Sequence, residues 1–408
     1  MNYDVIVIGS GAAGMMSAIT ASMNGNKVLL LEKLSKVGSK LKATGGGRCN
    51  LTNTLSNEDF VERFGRDGRF MRDALHLFDY KNLMQFFEDI GVKTHAPDGY
   101  RVFPISHQST TIITALEEKM HSLGVDVRCS ENVEEIDCTK ESIKSISTKE
   151  NRYIAPNIII ATGGLGYPTL GATGDGYKFA SSVGHSIKEL SPAMMPLHVK
   201  ESWVANCRAD TIPKAQITVN IPKHKKLKAS GDLIFTKNGI RGPVVLDFAR
   251  ELTPLLKKYG EVPLYVNLIN GKNEEDIRLH VKNNNDKNIL EIMAILLPES
   301  IVTSFLNECK IEPTCKYKEI DGIKRDALIK MMVKTPLTVI GHDGFKMAMI
   351  TRGGVNLKEI NPKTMQSKLV KGLYFCGEVV DLDGPCGGYN LQWSFSSGYL
   401  AGLLKIYP

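Results

Sequence analysis

The first part of the chain contains two short apolar runs separated by a turn and a helical pattern. Val5 to Ile8 is apolar throughout, a helical spacing of apolar residues continues to Ala21, and the run "KVLLLE" ends at Glu32. Short continuous apolar runs bounded by turn residues are typical of strands buried on both faces. The pattern therefore predicts a strand–helix–strand unit at the start of a parallel α/β sheet.

Two later apolar runs extend this α/β pattern. "APNIIIATGG" predicts a buried strand that ends in a glycine turn. "KGLYFCGEVV" predicts a strand that ends at Cys376, followed by a helix from about Asn390. Between the early and late strands, the alternating stretch from Val125 to Ile154 predicts a small antiparallel excursion within the same domain.

The middle of the chain has a different pattern. After the proline-containing segment "SPAMMPLHV", the alternating runs "AQITVNI", "GDLIFT" and "VPLYVNL" predict strands of a barrel. The charged stretch that begins with "GKNEEDIRLHVKNNN" predicts helices as far as Lys334. We therefore predict an α/β domain in two segments, 1–190 and 335–408, around an inserted domain with a β-barrel part (191–270) and a helical part (271–334).

Composition and charge narrow the class of protein. The 408 residues are 42% hydrophobic and 23% charged, the balance of a globular protein with an interior large enough for a cofactor. No apolar run approaches the roughly 20 residues of a membrane span. The N-terminus has no signal-peptide pattern, so we expect a cytoplasmic protein without a membrane partner. The net charge of +7 is mild, and its densest cluster, "PKHKKLK", is interpreted as a solvated hairpin tip. A small-molecule substrate is therefore favoured over nucleic acid.

The eight cysteines include no Cys-x-x-Cys pair. This spacing disfavours a zinc ribbon or a dithiol relay, so we predict reduced thiols and no metal site. Cys49 and Cys386 lie in two glycine-rich loops, where an inert buried thiol is favoured over a redox pair.

The turn after the first strand carries the nucleotide-binding pattern Gly9-x-Gly11-x-x-Gly14. Gly9 permits a tight turn, Gly11 lets a pyrophosphate approach the backbone, and Gly14 lets helix and strand pack closely. The phosphates then lie at a helix N-terminus, where unpaired amides favour anions. Glu32 follows at the end of the second strand, where it can accept hydrogen bonds from ribose hydroxyls. An acid at this position indicates the adenosine half of FAD or NAD rather than NADP.

The irregular segment "KLSKVGSKLKATGGGRCNLTN" favours FAD over NAD. An NAD dehydrogenase would continue with regular strand–helix alternation, whereas three consecutive glycines, Gly45 to Gly47, let the chain lie flat against a planar ring system. Lys33 and Lys40 can neutralise phosphates. A second glycine turn at Gly387 and Gly388 opens the C-terminal helix, whose N-terminus can face the ribityl chain and pyrimidine carbonyl of a flavin.

The motifs "GSGAAG", "KLKATGGGRCNLTN", "ATGG" and "CGGYNLQWSFSSG" resemble those of the BaiN-like flavoproteins over nearly the whole chain. The resemblance implies a Rossmann-like FAD domain in two segments, an inserted domain with β-barrel and helical parts, and non-covalent FAD. One branch of this family reduces ring double bonds in oxidised bile acids. The FAD contacts implied by the resemblance are Gly9, Ser10, Gly11, Ala12, Ala13, Gly14, Glu32, Lys33, Lys40, Gly45, Gly46, Gly47, Arg48, Cys49, Asn50, Val133 (at the adenine edge), Ala161, Thr162, Gly163, Gly377, Glu378, Gly388, Tyr389, Asn390 and Leu391.

One motif departs from the family pattern. The inserted domain usually carries Phe-Thr-His-x-Gly-Leu/Ile-Ser-Gly-Pro, but "FTKNGIRGP" places Lys237 at the histidine position and Arg241 at the serine position. These two cations and Arg352 are candidate substrate contacts. An alternative is that Lys237 and Arg241 reach solvent from a loop. Tyr389, as well as these cations and Arg48, is a candidate general acid, but the sequence singles out no catalytic residue.

These patterns predict an FAD-dependent oxidoreductase, specifically an NAD(P)H-linked reductase of a small organic substrate such as a ring enone. No second Gly-x-Gly-x-x-Gly unit occurs in the sequence, so NAD(P)H would act as a transient reductant. The alternatives are a tRNA-modifying flavoprotein, an amine oxidase and a flavin-binding protein without enzymatic activity. The oligomeric state is left open.

Overall fold

The computed structural model describes residues 3–139 and 143–404, which form two compact units. The α/β unit comprises Met1–Pro192 and Met349–Pro408, and the barrel unit comprises Ala193–Ala348. Over the residues described, no helix has both the length and the apolar character needed to cross a membrane.

Within residues 3–139 and 143–192, the first segment of the α/β unit contains seven α-helices and eleven strands, the last of which extends to Ala193. In chain order they are β1 (Val5–Ile8), α1 (Ala12–Met23), β2 (Val28–Leu31), α2 (Ser39–Ala43), β3 (Thr52–Asn53), α3 (Asn57–Glu62), α4 (Arg72–Leu77), α5 (Tyr80–Asp89), β4 (Thr94–His95), β5 (Arg101–Pro104), α6 (Ser109–Ser122), β6 (Asp126–Arg128), β7 (Val133–Cys138), β8 (Ile143–Thr148), β9 (Arg152–Tyr153), β10 (Asn157–Ile160), α7 (Asp175–Ser182) and β11 (Ser191–Ala193), which leads out of the unit.

The barrel unit contains β12 (Leu197–Val199), β13 (Thr211–Val219), β14 (Lys228–Thr236), β15 (Gly239–Arg241), α8 (Pro243–Tyr259), β16 (Val262–Asn267), α9 (Glu274–Asn283), α10 (Ile289–Ala294), α11 (Glu299–Glu308), α12 (Gly322–Val333) and β17 (Thr335–His342). The chain then returns to the α/β unit with β18 (Ile350–Arg352), β19 (Leu373–Phe375) and α13 (Tyr389–Gly402).

The central sheet of the α/β unit is parallel, with the strand order β19-β10-β1-β2-β6. Ile6 lies opposite Ile158 on one side and Leu29 on the other. Every residue of β1 and β2 is buried, as the continuous apolar runs predicted. Because β19 comes from the second segment, the sheet joins both ends of the chain into one core.

The C-terminal helix α13 packs closely against α1. An added Cβ at Gly398 would lie 2.4 Å from the carbonyl oxygen of Ala13, so only glycine permits this approach. The contact places the C-terminal half of α13 alongside α1, because an added Cβ at Gly402 would likewise lie 2.6 Å from the carbonyl oxygen of Ser17.

The six strands of the barrel unit form a closed barrel with the order β12-β15-β14-β13-β16-β17. All their pairings are antiparallel. A separate hydrophobic core fills this unit and includes buried residues of the helices as well as of the strands. The α/β fold with a Rossmann-like sheet and an inserted barrel is the predicted fold class, and the structure confirms it.

Two predicted boundaries and the content of the predicted barrel part differ from the structure. Thr335–His342 does not return to the α/β unit, because this strand pairs with β12 and β16 and closes the barrel. The second segment of the α/β unit therefore begins at Met349 rather than at residue 335. The part assigned to the barrel also contains a 17-residue helix, α8, which fills the connection between β15 and β16. Finally, β6 belongs to the parallel sheet, so the antiparallel excursion begins at Val133 rather than at Val125.

Candidate functional site

The turn between β1 and α1 is shaped by glycines. Gly9 has a φ of +100°, and an added Cβ there would lie 2.7 Å from the carbonyl oxygen of Ala161. An added Cβ at Gly14 would lie 1.8 Å from the carbonyl oxygen of Gly9, so α1 packs directly on the turn. An added Cβ at Gly11 would have no described atom within 4 Å, apart from those of its chain neighbours. This space at the start of α1 is where a pyrophosphate can approach the backbone.

The carboxylate of Glu32 is fixed beside this turn. The backbone N–H and hydroxyl of Ser10 donate to Oε2 at 3.0 Å and 2.5 Å, and the N–H of Leu34 donates to Oε1 at 2.9 Å. Ser10, Ala12 and Ala13 are buried in the turn itself. An ionised carboxylate held at the end of β2 can accept further hydrogen bonds from a ribose.

The two lysines predicted to neutralise phosphates have acidic partners. Lys33 Nζ lies 2.6 Å from Asp175 Oδ2 and also donates to Thr173 Oγ1. Lys40 Nζ lies 2.6 Å from Glu378 Oε2. These ion pairs compensate both charges within the protein, so the structure gives the phosphate-neutralising role no support. The second pair joins α2 to the Gly377-Glu378 turn, 338 residues away along the chain.

The loop with three glycines presents bare backbone at the surface. Gly45, Gly46 and Gly47 have φ values of +58°, +67° and +88°, in the left-handed region that favours glycine. Apart from chain neighbours, an added Cβ at Gly46 or Gly47 would meet no described atom within 4 Å. The guanidinium of Arg48, next in the chain, lies over the ring of Phe103 at 5.5 Å. A flat surface free of side chains is what a planar ring system requires.

The glycine turn before α13 lies against this loop region. An added Cβ at Gly388 would lie 2.5 Å from the carbonyl carbon of Thr52, and the side chain of Asn53 donates to the carbonyl of Gly387 at 2.9 Å. With its carboxamide oxygen facing Gly388, Asn50 accepts from the Gly388 N–H at 3.1 Å. The loop and the turn therefore form one surface, although they are far apart in sequence.

The side chains at the start of α13 have mainly structural contacts. Asn390 accepts from the N–H of Gly384 at 2.8 Å and donates to its carbonyl at 2.9 Å, which fixes the preceding turn. Tyr389 is buried, its ring packs 4.8 Å from that of Phe60, and its hydroxyl lies 2.5 Å from that of Tyr100. These contacts favour a packing role for Tyr389 over that of a general acid. Leu391 is half-buried beside it.

The third glycine turn follows β10. The N–H of Ala161 donates to the carbonyl of Ile8, and Gly163 has a φ of +70°. Between them, the buried hydroxyl of Thr162 has no hydrogen-bond partner in the described part of the chain. Such a buried polar group is expected to find a partner, and a bound ligand can supply it.

A cavity of about 360 Å³ lies beside Val133. Val133 is buried in β7, and the N–H of Glu131 in the same segment donates to the carbonyl of Glu32 at 2.9 Å. The predicted ribose contact Glu32 and the predicted adenine contact Val133 are therefore adjacent. The cavity is lined by residues 132–136 together with Asp175, Lys178, Phe179 and Ser182 of α7.

These features fit FAD. The open space at Gly11 suits the pyrophosphate, Glu32 suits the ribose, and the bare glycine loop suits the flavin ring. The N-terminus of α13, which begins after Gly388 without a side-chain cap, suits the negatively charged edge of the flavin. All these residues belong to the α/β unit.

An acidic group near this region was missed by the sequence analysis. Burial, together with the carboxylates of Asp67 and Asp383, raises the pKa of Asp381 to about 6, although Lys188 and Arg352 oppose the shift. Arg352 Nε lies 3.9 Å from Asp383 Oδ1. The only sequence signal was the "DLDG" that follows Gly377-Glu378. The cluster combines a predicted substrate contact with a carboxyl group that titrates near neutral pH.

Lys237 and Arg241 lie in the barrel unit, at the β14–β15 hairpin. Thr236 pairs with Gly239, so Lys237 and Asn238 form the two-residue turn, and Arg241 is the last residue of β15. Both cations are exposed. The structure therefore places them on the surface of one hairpin.

The thiol of Cys49 is fully buried in the glycine loop, and this burial raises its pKa to about 12. A thiol is nucleophilic and redox-active only as the thiolate. Cys49 is therefore protonated at neutral pH, as the expected inert thiol would be.

Sequence comparison identifies the family. The profile described as "HI0933-like protein Rossmann domain" matches residues 3–404. The chain belongs to this family. Over 402 residues it is 30% identical to the 3-dehydro-bile acid delta(4,6)-reductase of Clostridium scindens, covering 97% of each chain. It is also 27% identical over 404 residues to the ribosomal RNA dihydrouridine synthase of Haemophilus influenzae, covering 98% of this chain and 97% of the relative.

Structure comparison agrees at the level of the fold. The 3-ketosteroid-delta4-(5alpha)-dehydrogenase of Rhodococcus jostii superposes with a TM-score of 0.55 at 15% identity, covering 98% of this chain and 96% of the other. The HI0933-like family comprises FAD-dependent oxidoreductases with a Rossmann domain, and this chain is a flavin-dependent oxidoreductase of that family.

Proposed function

We propose that the protein reduces a carbon–carbon double bond conjugated to a carbonyl group in a ring, using non-covalently bound FAD and NAD(P)H as the transient reductant. The observation that carries this proposal is the similarity, over almost the full chain, to both a bile-acid reductase and a dihydrouridine synthase. The double bond of a 3-oxo steroid and the 5,6 double bond of uracil are both conjugated to a carbonyl. The reaction class is therefore common to two relatives whose substrates differ.

When bound, FAD supplies the hydride for this reaction. The protein must hold the substrate carbonyl, stabilise the negative charge that develops on its oxygen, and allow a proton to reach the neighbouring carbon. We assign the carbonyl contact to Arg352, which is half-exposed in the α/β unit. Its guanidinium is a permanent cation, and Asp383 helps to orient it.

We assign the binding of an anionic group of the substrate to Lys237 and Arg241. Both are exposed cations at positions where the family resemblance implies neutral side chains, so they favour a substrate with a carboxylate, sulfonate or phosphate group. A double variant, Lys237→His with Arg241→Ser, should lower kcat/KM for an anionic ring enone at least about tenfold, a loss of about 1.4 kcal/mol of transition-state binding. A neutral enone serves as the control and should be affected much less. Equal rates of wild type and variant on both compounds would remove these residues from the site.

The main candidate substrate is a small ring enone. It is tested by measuring NADH and NADPH consumption without oxygen in the presence of a 3-oxo-Δ4 steroid, the corresponding saturated ketone, or a primary amine. The proposal predicts consumption only with the enone and a saturated product. Hydrogen peroxide formed from the amine in air would instead support the amine-oxidase alternative.

The second candidate is a uracil ring in RNA. It is favoured by the similarity to a ribosomal RNA dihydrouridine synthase. The excess of lysines and arginines in the barrel unit, residues 193–348, also favours it. Dihydrouridine formed in RNA incubated with the FAD-loaded protein and NADPH, and absent without NADPH, would establish it. The same assay with transfer RNA distinguishes the two RNA classes.

A further inference from the structure

The positive charge of the protein is concentrated in the barrel unit. Its 156 residues contain 24 lysines and arginines against 18 aspartates and glutamates, which is +6 of the total +7. The larger α/β unit has 27 lysines and arginines and 26 aspartates and glutamates, so it is nearly neutral. Because all the predicted FAD contacts lie in the α/β unit, this excess of cations is not needed to hold the cofactor.

Four lysines of the barrel unit lie at the tip of one hairpin. Lys223, Lys225 and Lys226 lie in the connection between β13 and β14, Lys228 is the first residue of β14, and all four are exposed. Across the described residues, none of these four ammonium groups lies within ion-pair distance of a carboxylate. The segment Pro222–Lys228 contains no acidic residue. The hairpin tip expected from the sequence is confirmed, and its charge is uncompensated.

The end of α8 adds to this tip. His224 Nε2 lies 3.4 Å from the hydroxyl of Tyr259, the last residue of α8, which brings Lys257 and Lys258 to the same end of the barrel. The ring of Tyr259 is 41% exposed, and the ammonium of Lys258 lies 5.0 Å from its centroid. We call the four tip lysines, Lys257, Lys258 and Tyr259 the lysine surface.

The lysine surface is remote from the predicted substrate contacts of the same unit. It lies at the start of β14, whereas Lys237 follows the end of this nine-residue strand. At about 3.3 Å per residue the two ends are roughly 26 Å apart. A small substrate bound near Lys237 cannot reach across this distance, but a polynucleotide can.

We propose that the lysine surface binds the phosphate backbone of RNA. The inference rests on the second candidate of the proposed function, in which the substrate is a uracil ring in RNA. The four tip lysines, which have no ion-pair partner among the described residues, attract phosphates and gain free energy from counterion release. An exposed aromatic ring beside them provides a stacking surface for an unpaired base. An enzyme that acts on one base must extract it from its stack, so contacts to the flanking backbone hold the RNA in place while it does so.

The test compares RNA binding by the full-length, FAD-loaded protein and two quadruple variants. One carries Lys223→Ala, Lys225→Ala, Lys226→Ala and Lys228→Ala. The matched control carries Lys272→Ala, Lys282→Ala, Lys287→Ala and Lys318→Ala, which remove the same number of exposed lysines from the helical part of the same unit. The probe is a labelled RNA stem–loop of about 30 nucleotides with an unpaired uridine-containing loop, titrated at several salt concentrations.

The hairpin variant should bind at least about tenfold more weakly than the wild type. The slope of log affinity against log salt should become shallower by about 2 to 3, since each single-stranded phosphate contact contributes about 0.7. The control variant should bind as the wild type does. Tyr259→Ala should also weaken binding, whereas Tyr259→Phe, which keeps the ring, should not.

Three results would overturn the proposal: equal losses in both quadruple variants, no RNA binding by the wild type, or hairpin-dependent binding to phosphatidylserine vesicles without RNA binding. Reduction of a small ring enone by NADPH, measured on the same samples, separates the two claims. If that activity persists in the wild type without RNA binding, the lysine surface proposal fails while the reductase proposal stands. If RNA binds through the hairpin but no double bond is reduced, in the enone or in the RNA, the lysine surface proposal stands while the reductase proposal fails.

Discussion

At the scale of single residues, Glu32 connects the predicted ribose site to the glycine turn after β1. Its carboxylate accepts three hydrogen bonds from Ser10 and Leu34, and its remaining acceptor positions are those that a ribose would use. The sequence predicted the acid and its place at the strand end. It did not reveal that the glycine turn itself holds the carboxylate.

Glu32→Ala should weaken FAD binding by about 1.5–3 kcal/mol, the scale of hydrogen bonds to a charged acceptor. This corresponds to a loss of affinity on the order of tenfold to a hundredfold. The measurement is a fluorescence titration of the apoprotein with FAD. Glu88→Ala, at an exposed site of the same unit, is the control and should bind normally. Normal affinity in Glu32→Ala would show that the carboxylate serves only the turn.

Asp381 should make stability depend on pH. Its pKa rises from 3.8 to about 6 on folding, mainly through burial, so the folded protein holds this proton more tightly than the unfolded chain. Stability from this group is therefore present below pH 4 and is lost as the pH rises to about 6. After allowance for partial exposure, the loss is about 1–2 kcal/mol.

Asp381→Asn removes the titration while nearly keeping the shape of the side chain. The free energy of unfolding of the variant should exceed that of the wild type above pH 6, and the two should converge below pH 4. Urea unfolding at both ends of this window measures the difference. An equal loss of stability at both pH values would indicate a lost hydrogen bond rather than a strained carboxylate.

At the scale of secondary structure elements, the glycine turns give the site its shape. Gly11 has ordinary helix-entry geometry and open space in front of it, whereas Gly14 touches the turn. Gly11→Ala should therefore leave the stability of the apoprotein unchanged but lower FAD affinity at least about tenfold, because the new methyl group occupies the path of the pyrophosphate. Gly14→Ala, by contrast, should destabilise the apoprotein itself. FAD binding by Gly11→Ala at wild-type affinity would contradict the placement of the pyrophosphate.

The elements that the sequence predicted well are those specified locally. The runs Val5–Ile8 and Ile158 to Ile160 are in strands because they are apolar throughout, and Gly9 and Gly45 mark turns because their left-handed φ values favour glycine. The elements that were misplaced depend on distant partners. The alternating "TPLTVIGH" specifies a strand, but only its pairing with β12 and β16 shows that it belongs to the barrel. The ion pair of Lys33 with Asp175 also joins distant segments and could not be foreseen.

At the scale of the whole molecule, the predicted cofactor contacts and most of the net positive charge lie in different units. The α/β unit contains every predicted FAD contact, and the barrel unit contains most of the net charge together with Lys237 and Arg241. The relatives of this chain include a bile-acid reductase and a ribosomal RNA dihydrouridine synthase. We propose that the cofactor site and the reaction class are common to them, and that the surface of the inserted unit selects the substrate.

The central claim is that the reduced protein transfers hydride to a double bond conjugated to a ring carbonyl. The most direct test is a single turnover without oxygen, in which the FAD-loaded protein is reduced chemically and then mixed with a ring enone or a uridine-containing RNA. The flavin absorbance should return with at least one of these compounds, with one double bond saturated per flavin reoxidised, and should not return with the saturated analogues. Flavin that stays reduced with both unsaturated compounds and reoxidises only when oxygen is admitted would contradict it.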